Sequence, residues 1–319
     1  MKILAVTSVG GACGIANYAE MALEAVRAAD PTIQTQCSAE ALDPFTDLHL
    51  HGRPDVLWLN YHRGLHSRWT PRVLQTWMAE KGIPVVITFH DTYGESEPDD
   101  LARQLHDLAD AFIVHEPCVG LPKQILIRQG VPAPVTPAYL TRADGRPVGT
   151  AGGPVLGTCG FNFPWKNFDR LAEVTAEAGW GLVILSNNAT HEDVARWTAV
   201  NPDIAVRVGF LPTATMVQYL TGCDATAFPY ECANSGTSGA IRLGIAARKP
   251  VIAFEGCRQF RDIISHRAIW EAQNWGTFPA LLQEIPIQRV DPAVVALATR
   301  DSWATQGRRY AEVFRAVCR

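Results

Sequence analysis

Between Phe228 and Phe254 the chain reads FPYECANSGTSGAIRLGIAARKPVIAF, and here its residue types hold the most chemistry. An apolar run closing at Pro229 predicts a strand. Asn234 to Gly239 supplies a small, polar segment, and an Ala/Ile/Leu-rich helix is expected from about Gly239 to Ala247. A strand, a Gly/Ser/Thr turn and a helix N-terminus make an anion site. The first helical N–H groups lack internal partners, the dipole adds positive potential, and glycine admits a phosphate closely. Ser235, Gly236, Thr237, Ser238 and Gly239 are therefore candidate phosphate ligands. The plainer reading is that Ser235 or Thr237 caps an ordinary helix.

Other residues invite chemistry by type and place. Lys166 follows a predicted strand-end turn, Phe163-Pro164-Trp165-Lys166. A cation at a helix start is disfavoured by the dipole, which makes a phosphate partner attractive. His90 and Asp91 close a predicted strand, as a base or hydrogen-bond clamp, with a structural histidine weighing equally. The run Tyr61 to Arg72 carries His62, Arg63, His66, Arg68 and Trp69 without an acidic residue. It reads as a solvated loop or as an acceptor site, because open α/β sheets bind ligands at such strand ends. Glu95, Glu97, Asp99 and Asp100 look like metal ligands, yet they straddle Pro98 and precede a helix. Acidic residues suit a helix start, so no metal is expected.

The elements that must position these groups form two successive βα arrays. Residues 2–8, 55–60, 85–90 and 111–115 read as buried parallel strands, with a helix after the Gly10-Gly11 turn carrying Ile15, Tyr18, Ala19, Ala22 and Val26. A further helix is expected over Leu121 to Gln129, and a Gly/Pro-rich linker over 141–154. Strands at 155–161, 181–186, 205–210 and 225–228 follow, with helices over Lys166–Ala178 and ending near Leu220. Trp303, Gly307, Tyr310, Phe314 and Val317 give the tail one apolar stripe. The pattern predicts an α/β protein with two doubly wound sheets. Its 319 residues suit two domains of roughly 150 each. A net charge of −4 argues against a general nucleic-acid binder. Eight scattered cysteines without metal spacing suit a reducing compartment. No apolar run is long enough to span a membrane, and the N-terminus reads as a strand rather than a leader, so a cytoplasmic location is expected.

The run SGAIRLGIAARKPVIAF, followed by CRQFRD, resembles the nucleotide-sugar-binding half of GT-B glycosyltransferases, specifically the large retaining family 4. The resemblance implies two Rossmann-like domains facing across a cleft. These are an N-terminal acceptor domain over 1–145, a C-terminal donor domain over 152–300, and a last helix, 302–319, returning to the first domain. It implies that Gly10 and Gly11 line the sugar site, that His90 reaches the sugar, and that Lys166 contacts the diphosphate. Phe210 and Leu211 would fall at the base pocket and Glu231 in the donor loop. The partners implied are a nucleoside-diphosphate sugar and a saccharide or lipid-linked acceptor, with no cofactor, no metal and a retained configuration. Residues 49–72 hold a net charge of +3 and four histidines, which keeps a modified base in DNA as an alternative acceptor. A non-catalytic nucleotide-sugar binder and a GT-B epimerase also fit the pattern. The chain departs from the family in lacking one or both paired glutamates of the donor loop. Gly239 stands eight residues after Glu231, while alignment on Lys249 puts Ser235 and Leu243 at those places. An arginine near Phe161 is also missing.

Overall fold

The structure is a computed structural model that describes residues 1–7, 13–39, 52–62, 82–90, 105–118, 120–149, 152–231, 237–264, 268–287 and 290–319. It divides into two compact units, the first built from Met1–Gly130 with Trp303–Arg319 and the second from Val131–Asn234 with Ser238–Ser302.

The first unit holds β1 (Lys2–Thr7), α1 (Gly14–Ala29), β2 (Gln34–Ala39), β3 (Val56–Tyr61), β4 (Val85–Phe89), β5 (Ala111–Val114) and β6 (Gln124–Leu126). The strands form one parallel sheet in the order β2-β1-β3-β4-β5-β6. Strands buried on both faces need apolar residues at nearly every position, and VLWLNY, VVITF and AFIV supply them. Their period of two sends Val56, Trp58, Val86 and Ile113 to one core, and Leu57, Leu59, Ile87 and Phe112 to the other. The first core is closed by α1 and by the C-terminal helix, Trp303–Val317. Its expected stripe is buried at Trp303, Gly307, Tyr310 and Phe314. A β-carbon on Gly307 would run into the carbonyl of Ala25, so glycine is what lets the two helices meet.

The helix expected over Leu121–Gln129 is instead a turn followed by the edge strand β6. Lys123 adopts φ 50, which stops a helix there. The Gln124 carboxamide closes the turn by accepting from the Cys118 N–H and donating to the carbonyls of Cys118 and Leu121.

The second unit holds β7 (Val155–Gly160), α2 (Phe168–Glu177), β8 (Gly181–Ser186), α3 (His191–Val200), β9 (Ile204–Val208), α4 (Thr213–Thr221), β10 (Ala225–Phe228), α5 (Gly239–Ala246), β11 (Val251–Phe254), α6 (Arg261–Ile264), β12 (Ile269–Ala272), α7 (Phe278–Glu284) and α8 (Pro292–Arg300). The C-terminal helix of the first unit is thus α9. The second sheet is also parallel, in the order β12-β11-β10-β7-β8-β9. Relative to its own first strand this is the 3-2-1-4-5-6 order of dinucleotide-binding sheets. The helix expected over Lys166–Ala178 is broken: Pro164–Lys166 is a separate 3-10 turn, and Asn167 sits in the left-handed region at φ 59 before α2 begins. The stretch expected as a linker packs within this unit. Gly149 donates its N–H to the Asp203 carboxylate at 3.1 Å, and Arg142 pairs with the same residue at 3.3 Å.

Candidate functional site

In the second sheet the chain leaves β7 toward β8 on one side and later returns to β10 on the other. That reversal makes the β7/β10 junction the switch point at which open α/β sheets bind ligands, beyond the strands' carboxyl ends. Gly160 ends β7 with φ 124, a conformation that side chains avoid. A β-carbon placed there would lie 2.5 Å from Lys166 Nζ and 3.6 Å from the β-carbon of Ala240. One point at the strand end therefore adjoins both the lysine ammonium and the first turn of α5. The link is reinforced from the strand itself, because the Cys159 thiol reaches the Ala240 carbonyl at 3.7 Å. Burial pushes that thiol up to about 12, a rise the Lys166 charge partly offsets.

Lys166 is buried, 5% exposed, rather than a solvated lysine at a helix start. Its ammonium lies 5.1 Å from the ring centre of Tyr230, 5.3 Å from Trp165 and 5.9 Å from Phe163. Desolvating an ion costs several kcal/mol, and cation–π contact in a dry place returns about 2 kcal/mol. The turn bearing Lys166 is tied to the end of β10. The Glu231 N–H donates to the Trp165 carbonyl at 2.8 Å, and the Asn167 amide donates to Pro229 O at 3.1 Å and to Glu231 Oε2 at 3.2 Å. Helix α5 starts after Ser238, whose side chain makes no capping bond, and its first turn carries no acidic residue. Its opening amides and dipole thus face the switch point without a carboxylate among them.

Gly209, Phe210 and Leu211 follow β9, two strands from β7 on the same carboxyl edge. Phe210 is 47% exposed, an apolar ring offered at the rim. Beneath α5 lies a charge that sequence reasoning missed. Arg242 is 2% exposed and pairs with Asp262, with Asp301 at 3.7 Å. Its signal in the chain is one arginine inside an otherwise apolar helix.

In the first sheet the switch falls between β1 and β3. Thr7, Asn60 and Thr88 continue the face of Ala5, Trp58 and Val86, so the core turns polar at the strand ends. His90 follows β4, and its Nε2 lies 3.2 Å from Asn60 Oδ1. Its ring meets Tyr18 edge-on at 4.6 Å and His115 at 5.6 Å. Tyr18 bonds Tyr310 on α9 hydroxyl to hydroxyl. Burial, then the Tyr310 hydroxyl, holds Tyr18 well above the ordinary phenol range, and burial likewise raises Tyr310. Both phenols stay neutral and neither is a base at neutral pH.

The structure brings Lys166, Glu231 and Gly239 to one switch point and sets His90 at the other. Thr237 and Ser238 lead into α5, and His62 follows β3. Gly10, Gly11, Arg63, His66, Arg68, Trp69, Asp91, Ser235 and Gly236 lie outside the described residues, as do Glu95 to Asp100. Among the described residues, no group of three metal-ligating side chains occurs and no helix is long and apolar enough to cross a membrane. A cavity of about 650 Å³ opens elsewhere, at the amino-terminal edge of the first sheet, lined by Arg53, Asp55, Pro84, Arg315 and Arg319 among others. It is at the wrong end of the strands for a ligand site of this architecture, and Arg315 is engaged with Asp30.

No protein-family model and no curated protein sequence matches the chain. Solved structures do. The Anabaena protein Alr3699/HepE, in complex with UDP and glucose, aligns over 99% of this chain and 100% of its own with a TM-score of 0.71 at 12% identity. AviGT4, a glycosyltransferase involved in avilamycin A biosynthesis, aligns over 99% and 98% with a TM-score of 0.60 at 16% identity. The UDP-GlcNAc 2-epimerase of Methanocaldococcus jannaschii aligns over 99% and 100% with a TM-score of 0.58 at 7% identity. The chain therefore has the two-domain α/β architecture of the GT-B class, with a doubly wound parallel sheet in each unit.

Proposed function

We propose that the chain is a glycosyltransferase that moves a sugar from a nucleoside diphosphate to an acceptor. One observation carries this reading: the buried Lys166 ammonium and the first turn of α5 converge on Gly160 at the switch point of the second sheet. A mobile point charge and fixed backbone donors suit a diphosphate, and together they neutralise charge on it as it departs. Removing one such preorganised donor commonly costs roughly 100- to 1,000-fold in rate. The HepE complex with UDP and glucose and the glycosyltransferase AviGT4 support a nucleotide sugar as donor.

In this reading the second unit takes the donor, with Glu231 and Thr237 to Gly239 beside Lys166, and Phe210 and Leu211 near the base. The first unit takes the acceptor, with His90 acting on the sugar. Because protein groups stabilise the leaving diphosphate, no metal and no cofactor is required. Retention of configuration, family 4 chemistry and a saccharide or lipid-linked acceptor follow from the resemblance of SGAIRLGIAARKPVIAF, and a cytoplasmic location from the cysteine usage and the lack of a long apolar run. A modified base in DNA is the alternative acceptor, favoured by the basic run 49–72. The epimerase likeness favours a second reaction, inversion of the donor sugar itself. Screening nucleotide sugars by thermal stabilisation, then incubating the best with saccharide acceptors, tests the proposal. A ligand at about 100 times its dissociation constant adds about 2.7 kcal/mol of stability. Transfer in excess EDTA supports the reading, an epimerised donor supports the second, and stabilisation by no nucleotide sugar overturns both.

A further inference from the structure

Asn60 is a buried carboxamide where the core of the first sheet turns polar, with Thr7 and Thr88 on the neighbouring strands. It lies on β3, wholly buried, on the face that Val56 and Trp58 fill with hydrocarbon. Among the described residues its carboxamide nitrogen has no hydrogen-bond partner, and a buried unmet donor of this kind costs about 1–3 kcal/mol. A leucine there would carry no such penalty. Among the described residues the amide makes one side-chain hydrogen bond, in which Oδ1 lies 3.2 Å from His90 Nε2.

A carboxamide oxygen only accepts, so the imidazole nitrogen facing it must carry the proton. The neighbouring histidine is held in the opposite form. His115 Nδ1 lies 2.8 Å from the Ile127 carbonyl, and there Nδ1 is the donor. Two histidines with rings 5.6 Å apart are thereby fixed as different tautomers by their separate acceptors. The titratable groups facing the His90 ring include Tyr18 from α1 and His115 beyond β5, with Tyr310 of α9 behind Tyr18.

We propose that Asn60 is a positioning residue: its carboxamide oxygen holds His90 in the Nε2–H form and so gives Nδ1 the acceptor role in the reaction. The contribution to turnover rests on the glycosyl-transfer reading of His90, whereas the tautomer does not.

The test is nitrogen-15 NMR of the imidazoles in the full chain, with His90→Gln identifying the His90 signals, beside kinetics of Asn60→Leu and Asn60→Asp. Expected is a protonated, pyrrole-type Nε2 and a pyridine-type Nδ1 for wild-type His90 above its titration. Asn60→Leu should give mixed tautomers, unchanged or higher thermal stability, and a kcat lower by roughly tenfold or more. The bound is the 100- to 10,000-fold worth of a positioned acid or base. The Michaelis constant for the nucleotide sugar should stay within about twofold. Asn60→Asp should raise the pH at which His90 titrates, and with it the acid limb of the rate profile. A pyridine-type Nε2 in the wild type means that the amide is turned the other way and overturns the proposal. An unaltered tautomer in Asn60→Leu overturns it as well. A lost tautomer with unchanged kcat removes His90 from the reaction instead and leaves the tautomer lock standing. Should Asn60→Leu fail to fold, the wild-type spectrum and Asn60→Asp still decide.

Discussion

Gly160 and Lys166 occupy adjoining space such that any side chain on the first displaces the second, the missing β-carbon falling 2.5 Å from the ammonium. Replacing Gly160 by alanine forces a residue into φ 124 and pushes the ammonium out of its ring of aromatics. We expect a loss of about 1–3 kcal/mol in stability from the backbone. A separate loss of diphosphate binding should follow, visible when titrations of the folded variant are compared with those of the wild type. Full diphosphate affinity in a folded Gly160→Ala protein would contradict the convergence.

The buried pair Arg242–Asp262 anchors α5 from below. Arg242→Ala leaves Asp262 and Asp301 facing a lost cation, and breaking such a pair costs about 3–5 kcal/mol. Joint replacement, Arg242→Met with Asp262→Leu, should recover most of that loss. Chemical denaturation of the three proteins checks the ordering.

Helix α9 tests the first unit separately. Gly307→Val drives a branched side chain into the Ala25 carbonyl at the α1 contact, and overpacking of this sort costs about 1–3 kcal/mol. Glu312, exposed on the same helix, should accept alanine with a change of no more than about 0.5 kcal/mol. Equal effects of the two changes on the melting temperature would show the packing to be wrong.

Alkaline pH should weaken the fold. Burial pushes the thiols of Cys159 and Cys223 from near 9 up to about 12. In that window the folded chain keeps protons that the unfolded chain has lost, so stability falls as pH rises, by at most about 1.4 kcal/mol per pH unit for each thiol. Denaturation midpoints should decline above about pH 9, and the decline should be shallower in Cys223→Ala. A midpoint that is flat through this range would refute the burial of both thiols.

The chain displays its buried parallel strands openly, because burial on two faces leaves continuous runs such as VLWLNY and GLVILS. Edge strands are less legible. QTQCSA and IWEA mix polar residues into short segments, and β6 hides in a Pro-Lys turn whose helical look depends on Lys123 avoiding φ 50. Helix α3 is nearly all solvent-facing, burying only Trp197, and so lacks an apolar stripe, although Thr190 and Asp193 write its capping box plainly. The expectation of phosphate binding at the 235–239 turn and at Lys166 comes from residue type next to predicted strand ends. The burial of Lys166 does not, since it depends on Phe163, Trp165 and Tyr230 gathering from two loops. Asn60 and Arg242 share that difficulty, because each gets its meaning from a partner 20 or more residues away.

In the proposed reaction Lys166 and the first turn of α5 hold one diphosphate. Lys166→Met keeps an unbranched chain among the three rings, where sulfur packs well against aromatics, and removes only the charge. The most direct measurement is calorimetric titration of this variant, once shown to be folded, with the preferred nucleoside diphosphate and with its nucleoside. Diphosphate affinity should fall roughly 10- to 150-fold, the 1.5–3 kcal/mol of a hydrogen bond to a charged group. With the base assigned to the Phe210 rim, as proposed, the nucleoside should bind within about twofold of wild type. If both ligands weaken equally, or neither weakens, the phosphates are held elsewhere and the site is misplaced.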